Sequence, residues 1–170
     1  MSILPLLLLC LAQPALPAEE TVPAESNVLL EDYAPCGVVS LYMVCRIRGI
    51  AVTLEQLQEL IGPAGPDGSH SFEQLSHAAA HLGLHPVGLQ ANREALNNLP
   101  MPVIVQMHHP QRPDLPPHLL VLLRADSDSV TLVDAPFSPN FLPDSRFGEY
   151  WTGNVLVFAP DAEAAESIHT

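Results

Sequence analysis

The chain has 170 residues, 48% of them hydrophobic, a formal net charge of −13 and six lysines and arginines in all. That length and aliphatic content give one domain with a real core and exclude a disordered or fibrous chain. So few cations cannot supply the basic cluster that phosphate neutralisation needs, which excludes nucleic acid as a partner, and no P-loop glycine pattern is present to hold ATP.

The chain opens with an apolar run, Ile3 to Ala12, interrupted by Pro5 and followed by Pro14, Ala15, Pro17 and Ala18 before Glu19-Glu20. The run is too short to span a bilayer. It has the form of a secretory h-region and a small-residue cleavage zone ending at Ala18, without the usual basic n-region. Residues 1–18 are expected to be a signal peptide and 19–31 a linker, so the protein is expected to be exported to a periplasmic or extracellular location. An uncleaved membrane tether is the alternative. Leu9 stands before Cys10 where a lipobox needs a small residue, so lipidation is not expected.

Cys36 follows Pro35, precedes Gly37 and opens an apolar stretch to Cys45 that predicts a buried helix ending near Ile47, with Arg46 and Arg48 at its negative end and Gly49 as a stop. A thiol at a helix start lies beside unpaired N–H groups that favour the nucleophilic thiolate. Cys45 lies roughly 13 Å further along that helix on another face, too far for a disulfide, and is expected to be a buried small hydrophobe. Thr53 with Gln56 forms a capping box for a second helix carrying Leu54, Leu57, Leu60 and Ile61, stopped by Gly62; after a loop to Gly68, Ser71 with Gln74 repeats it for a third, stopped by Gly83. His77, His81 and His85 recur at four-residue spacing. No HExxH accompanies them and Gly83 separates the last, so no metal or other cofactor is expected.

Strands are predicted at Val87 to Leu89, at Val103 to Met107, from His118 through Leu119 to Leu123, at Val130 to Val133 and at Val155 to Phe158. Trp151 is expected to pack on the sheet and Gly153 to mark a close approach. Helices first and strands afterwards predict an α+β domain over residues 32–158, followed by an acidic tail, 159–170, without a partner pattern. The polar stretch Arg124 to Ser129 predicts a hairpin turn centred on Asp126, midway between His118 and Asp134. Directly opposed residues in such a hairpin have Cβ atoms about 4.5–5.5 Å apart, close enough for a carboxylate to orient an imidazole. Cys36, His118 and Asp134 thus each end a regular element and supply a nucleophile, a base and an orienter.

In this order and spacing the residues resemble the C39 peptidases, a family with a papain-like fold whose members remove double-glycine leaders from bacteriocins and related peptides. The resemblance runs from Asp32 to Phe158. It is carried by Cys36-Gly37 with Leu41 and Met43, Gly49, Ser71 through Leu75 with Ala79 and Leu82-Gly83, Pro102 with Ile104, His118, Asp134, Phe147, and Trp151 with Gly153. It implies a papain-like fold, helices first and then an antiparallel sheet, and a thiol protease with Cys36, His118 and Asp134 as its triad. A peptide or protein substrate and a separate export or transporter system are the partners it implies. The family usually has a glutamine six residues before the nucleophile, where it helps stabilise the oxyanion; Leu30 stands there. Losing one such donor costs about 10²–10³ in rate, so a catalytically weak or inactive peptide-binding domain is the alternative. Family members are commonly the cytosolic domain of an ABC transporter, whereas this chain follows an apparent export signal. Thiol chemistry with another acceptor, giving an amidase or acyl transferase, is a third possibility.

Overall fold

The computed structural model describes residues 34–112, 114–134 and 138–168; the expected signal peptide, the linker and Leu30 lie outside the described residues. Helix α1, Cys36–Ile47, starts after the extended Pro35, whose carbonyl accepts from the Val39 N–H at 3.2 Å. Proline's fixed φ and missing donor suit a helix start. Helices α2, Leu54–Ile61, and α3, Phe72–His81, follow complete capping boxes in which Thr53 pairs with Gln56 and Ser71 with Gln74. All three helices end before a glycine with positive φ, Gly49, Gly62 and Gly83, a conformation in which a Cβ would clash.

Among the described residues the strands are β1, His85–Gln90; β2, Val103–Met107; β3, His118–Ala125; β4, Ser129–Val133; β5, Asn140–Pro143; and β6, Trp151–Ala159. They form a six-stranded sheet in the order β1-β6-β2-β3-β4-β5 with every neighbouring pair antiparallel. The expected α+β architecture, helices first and then an antiparallel sheet, is the one observed.

The sheet is buried on both faces. Ile104, Leu119, Val121, Leu156 and Phe158 meet Val38, Leu41, Val44, Leu57 and Leu75 of the helices. Alternate residues Val103, Val105, Leu120, Leu122, Val155 and Val157 form a second core with Leu96 and Phe147. Burial on both sides explains why β3 reads as a continuous apolar run. The outer core is covered by elements not foreseen from sequence: a 3₁₀ turn at Ala95–Asn98, helix α4 at Asp144–Tyr150 and helix α5 at Ala162–Ile168. The segment from Asp161, expected to lack a partner, thus forms a helix whose Ala165 and Ile168 pack against this core. Trp151 stacks on Phe147 with ring centroids 5.2 Å apart, and Gly153, at φ +87°, brings its backbone against Gln90 and Ala91.

The β3–β4 hairpin forms, with a different register from the expected one. Ala125 pairs with Val130 and Arg124 with Thr131, which centres the turn on Ser127-Asp128 and not on Asp126. A bulge between Leu122 and Arg124 then shifts the pairing, so that Leu122 faces Leu132 and Val121 faces Val133. Continuing that register sets Asp134 opposite Leu120, two residues along β3 from His118, on the same face and diagonal to it. An extra residue in one strand of a ladder has this effect.

Candidate active site

The three residues named from sequence meet at one end of the sheet. Cys36 opens α1, His118 opens β3 and Asp134 follows the last paired residue of β4; all three line a narrow cleft of about 250 Å³ with Pro35, Val39 and Ser40. The His118 Nε2–H donates to Asp134 Oδ1 at 2.7 Å, across the diagonal that the bulge creates. A diagonal pair on one strand face remains within reach of long side chains. His118's other side turns to the Cys36 sulfur, to which it is hydrogen-bonded.

The charge pattern follows from that geometry. Burial pushes the Cys36 thiol up, but the His118 hydrogen bond, the Leu119 N–H, the His118 charge and the Gly37 N–H together bring it below the usual thiol value. Burial pushes His118 down, while the Asp134 and Cys36 hydrogen bonds and their negative charges raise it to about 10. The two shifts therefore both favour a thiolate beside an imidazolium over the neutral pair. Cys45 is the control within the same helix: it is fully buried, unpaired, and its thiol is pushed up to about 11 by desolvation. Its expected place as a buried small hydrophobe is the one observed.

Two backbone features hold the nucleophile against the base. β4 stops pairing at Val133, opposite Val121. Two residues earlier on β3, Leu119 offers its carbonyl to the Ser40 hydroxyl at 2.9 Å, and its N–H serves the Cys36 sulfur. Helix α1 thus takes up the polar groups of a strand residue at the point where pairing with β4 has ended. Ser40 lies one helical turn after Cys36, so the bond fixes the face and height of the thiol relative to His118. Gly37 permits the approach: a Cβ there would lie 3.2 Å from His70 Cβ and 3.4 Å from Leu119 Cδ1. His70 is itself buried, donating from Nε2 to the Gly62 carbonyl at 3.1 Å.

Sequence reasoning did not single out Ser40 or His70. The signal for Ser40 was available: it is a small hydroxyl four residues from Cys36 within an otherwise apolar run. His70 sits in a loop next to a capping residue, and nothing in its spacing points at Gly37. Ser40→Ala is expected to lower unfolding free energy by about 1–3 kcal/mol, the cost of leaving a buried carbonyl without its donor. Urea titration measures it, and an unchanged midpoint would remove Ser40 from the list of positioning residues.

The remaining histidines do not join this pair in the same way. His77 and His81 make an edge-to-face contact on α3, with centroids 4.8 Å apart, while His85 lies on β1. Among the described residues no group of three or more His, Cys, Asp or Glu side chains is placed to hold a metal ion. His109, from the proline-rich segment before β3, stands with its ring 5.4 Å from that of His118. Among the described residues no helix is long and apolar enough to cross a membrane.

Comparison with known proteins bears on the family and the fold. The model of the Peptidase C39 family matches residues 26–163. The chain is 26% identical over 140 residues to the lactococcin-G-processing and transport ATP-binding protein LagD of Lactococcus lactis subsp. lactis, covering 81% of this chain and 19% of that protein. It is 28% identical over 146 residues to the pediocin PA-1 transport/processing ATP-binding protein PedD of Pediococcus acidilactici, covering 82% and 20%. The chain therefore spans about a fifth of the length of these relatives. Among solved structures it is similar to a double glycine motif protease from an AMS/PCAT transporter in complex with its leader peptide, with TM-score 0.63 and 26% identity over 73% of this chain and 83% of that one.

Proposed function

The chain belongs to the peptidase C39 family, with its papain-like fold, and on that premise we propose that it is a cysteine endopeptidase working through Cys36, His118 and Asp134. The observation that carries the reading is the His118 imidazole placed between the Cys36 sulfur and the Asp134 carboxylate, with the thiol lowered and the imidazole raised. The thiolate attacks the scissile carbonyl carbon, forming a C–S bond and a tetrahedral oxyanion. The Cys36 backbone N–H at the start of α1 is the donor proposed for that anion. Collapse breaks the C–N bond as the imidazolium hands its proton to the leaving nitrogen. Water, deprotonated by the imidazole, then hydrolyses the thioester and regenerates the pair.

The substrate class proposed is a peptide cut after a small-residue or double-glycine motif. The cleft at Cys36, at about 250 Å³, has little room for bulky side chains on both sides of a scissile bond, and the similar transporter protease is described by its double glycine motif. Both transport relatives are named for processing together with transport, which supports a separate export or transporter system as partner. The apolar N-terminal run supports export of the chain, with N-terminal sequencing of the mature protein as its test.

Leu30 in place of the usual glutamine favours the second reading, a catalytically weak or inactive domain that binds peptide without cutting it. Incubation with peptides carrying internal Gly-Gly, followed by mass analysis, separates the two. Paired fragments summing to the peptide plus one water are expected. Binding without fragments would leave the binding domain, and fragments joined to an added amine would indicate acyl transfer.

A further inference from the structure

On the far side of His118 from Cys36 lies a second cavity, of about 650 Å³, walled by His118 and Asp134 together with Met107, His109, Leu120, Leu132 and Phe141. Cys36 does not line it, whereas His118 and Asp134 line both this cavity and the narrow cleft. The two spaces are thus neighbours with the imidazole as their common wall. The register explains the arrangement: Met107 pairs with His118, and Leu120 shares the outer sheet face with it, so the cavity continues the outer core to the edge of the site.

From this arrangement we infer that the cavity is the binding site for a large apolar or aromatic side chain of the substrate, at the first or second residue after the scissile bond. The inference deepens the peptidase reading and rests on it. The argument is one of direction. The scissile carbon must sit at the Cys36 sulfur, and His118 must reach the leaving nitrogen to protonate it. The segment that leaves as the amine is therefore the one on the His118 side, and the next space in that direction is this cavity. Successive side chains of an extended peptide alternate in direction, so one of the first two residues faces it.

The chemistry of the walls selects the occupant. Among the described lining residues there is no lysine or arginine, and the one carboxylate, Asp134, is already bonded to His118. The methionine supplies a polarisable, adaptable surface suited to aromatic rings. Phe141 stands at the mouth 71% exposed, a large aromatic left in water on strand β5 at the edge of the sheet. An incoming apolar side chain would cover it, whereas a charged one would lose hydration, with only His108, His109 and Asn140 as further polar walls.

The test is a set of Gly-Gly peptides differing only at the two residues after the cleavage point, scanned through Phe, Leu, Gly and Asp, with kcat/KM measured for the wild type and Phe141→Ser. For the wild type, Phe and Leu are expected to exceed Gly and Asp by about tenfold or more at one of the two positions, the scale set by filling an apolar pocket. Phe141→Ser should shrink that preference several-fold, read as the ratio of kcat/KM between the Phe and Gly peptides, with the thermal midpoint and the Cys36 alkylation profile unchanged. Because Phe141 is exposed, the fold does not depend on it. Cleavage of every peptide at equal rates, or an unchanged preference in Phe141→Ser, overturns the assignment of the cavity and leaves the peptidase reading standing. Failure to cleave any peptide overturns both.

Discussion

His118→Ala is expected to reduce peptide hydrolysis by roughly 10²–10⁴-fold, the range over which a positioned proton donor and acceptor contributes, and to move the midpoint of Cys36 alkylation to higher pH. His118 supplies the first hydrogen bond and the charge that lower the thiol. Without them burial remains and works in the opposite sense. The same pair sets the pH profile of the wild type. Hydrolysis should rise as Cys36 ionises, below the usual thiol range, and fall as His118 loses its proton near pH 10. The basic limb is the more diagnostic, because an unperturbed imidazole would lose its proton near 6.5. Stability has a matching signature. A raised imidazole contributes stability that is complete below about 6.5 and lost as pH rises through about 10. The lowered thiol acts in the other direction, its contribution being lost as pH falls through its folded value. The measurement is iodoacetamide alkylation against pH with Cys45 replaced by alanine. A thiol that titrates near 8.5 in both proteins would sink the activated pair and with it the peptidase reading.

What could be read without coordinates was local. Thr53 with Gln56 and Ser71 with Gln74 are capping signatures whose partners lie three residues apart, so their geometry is contained in the sequence. The glycine stops belong to the same class. Cys36, His118 and Asp134 could be named because each interrupts an apolar run at its end, and the hairpin that joins the last two is also a short-range feature. Its register was not legible. The bulge between Leu122 and Arg124 depends on how β3 packs between β2 and β4, and no residue in Leu119 to Ala125 marks it. The Ser40 bond spans 79 residues and the Gly37–His70 contact 33, so neither leaves a pattern in a window. Helices α4 and α5 were missed for a different reason. Each has seven residues, and α4 buries Phe147 while α5 has no fully buried residue. Such segments carry little periodicity and are helical through what they pack against. Two long-range contacts, Ser40 with Leu119 and Gly37 with His70, thus support a candidate site whose main side chains could be named beforehand.

The bulge also determines what Asp134 can do, and Asp134→Asn tests it. His118 donates from Nε2 to Oδ1 of Asp134, and the asparagine amide oxygen can accept the same bond. The substitution therefore keeps the orientation of the imidazole and removes the charge. The Asp134 hydrogen bond and charge are both among the causes that raise His118. Asp134→Asn should accordingly pull the basic limb of the pH profile down from about 10 towards the ordinary imidazole range, with a modest loss at neutral pH, while Asp134→Ala should lose both orientation and charge. For the alanine variant a fall of about 10²-fold or more is expected, since a base left free to rotate forfeits much of the 10²–10⁴-fold contribution of general acid–base catalysis. With side chains 24% and 36% exposed for His118 and Asp134, solvent screens part of the charge effect. The expected order is therefore alanine below asparagine below wild type. If asparagine and alanine lose activity equally and neither moves the basic limb, Asp134 does not hold His118 during the reaction, and the diagonal contact is a feature of the hairpin alone.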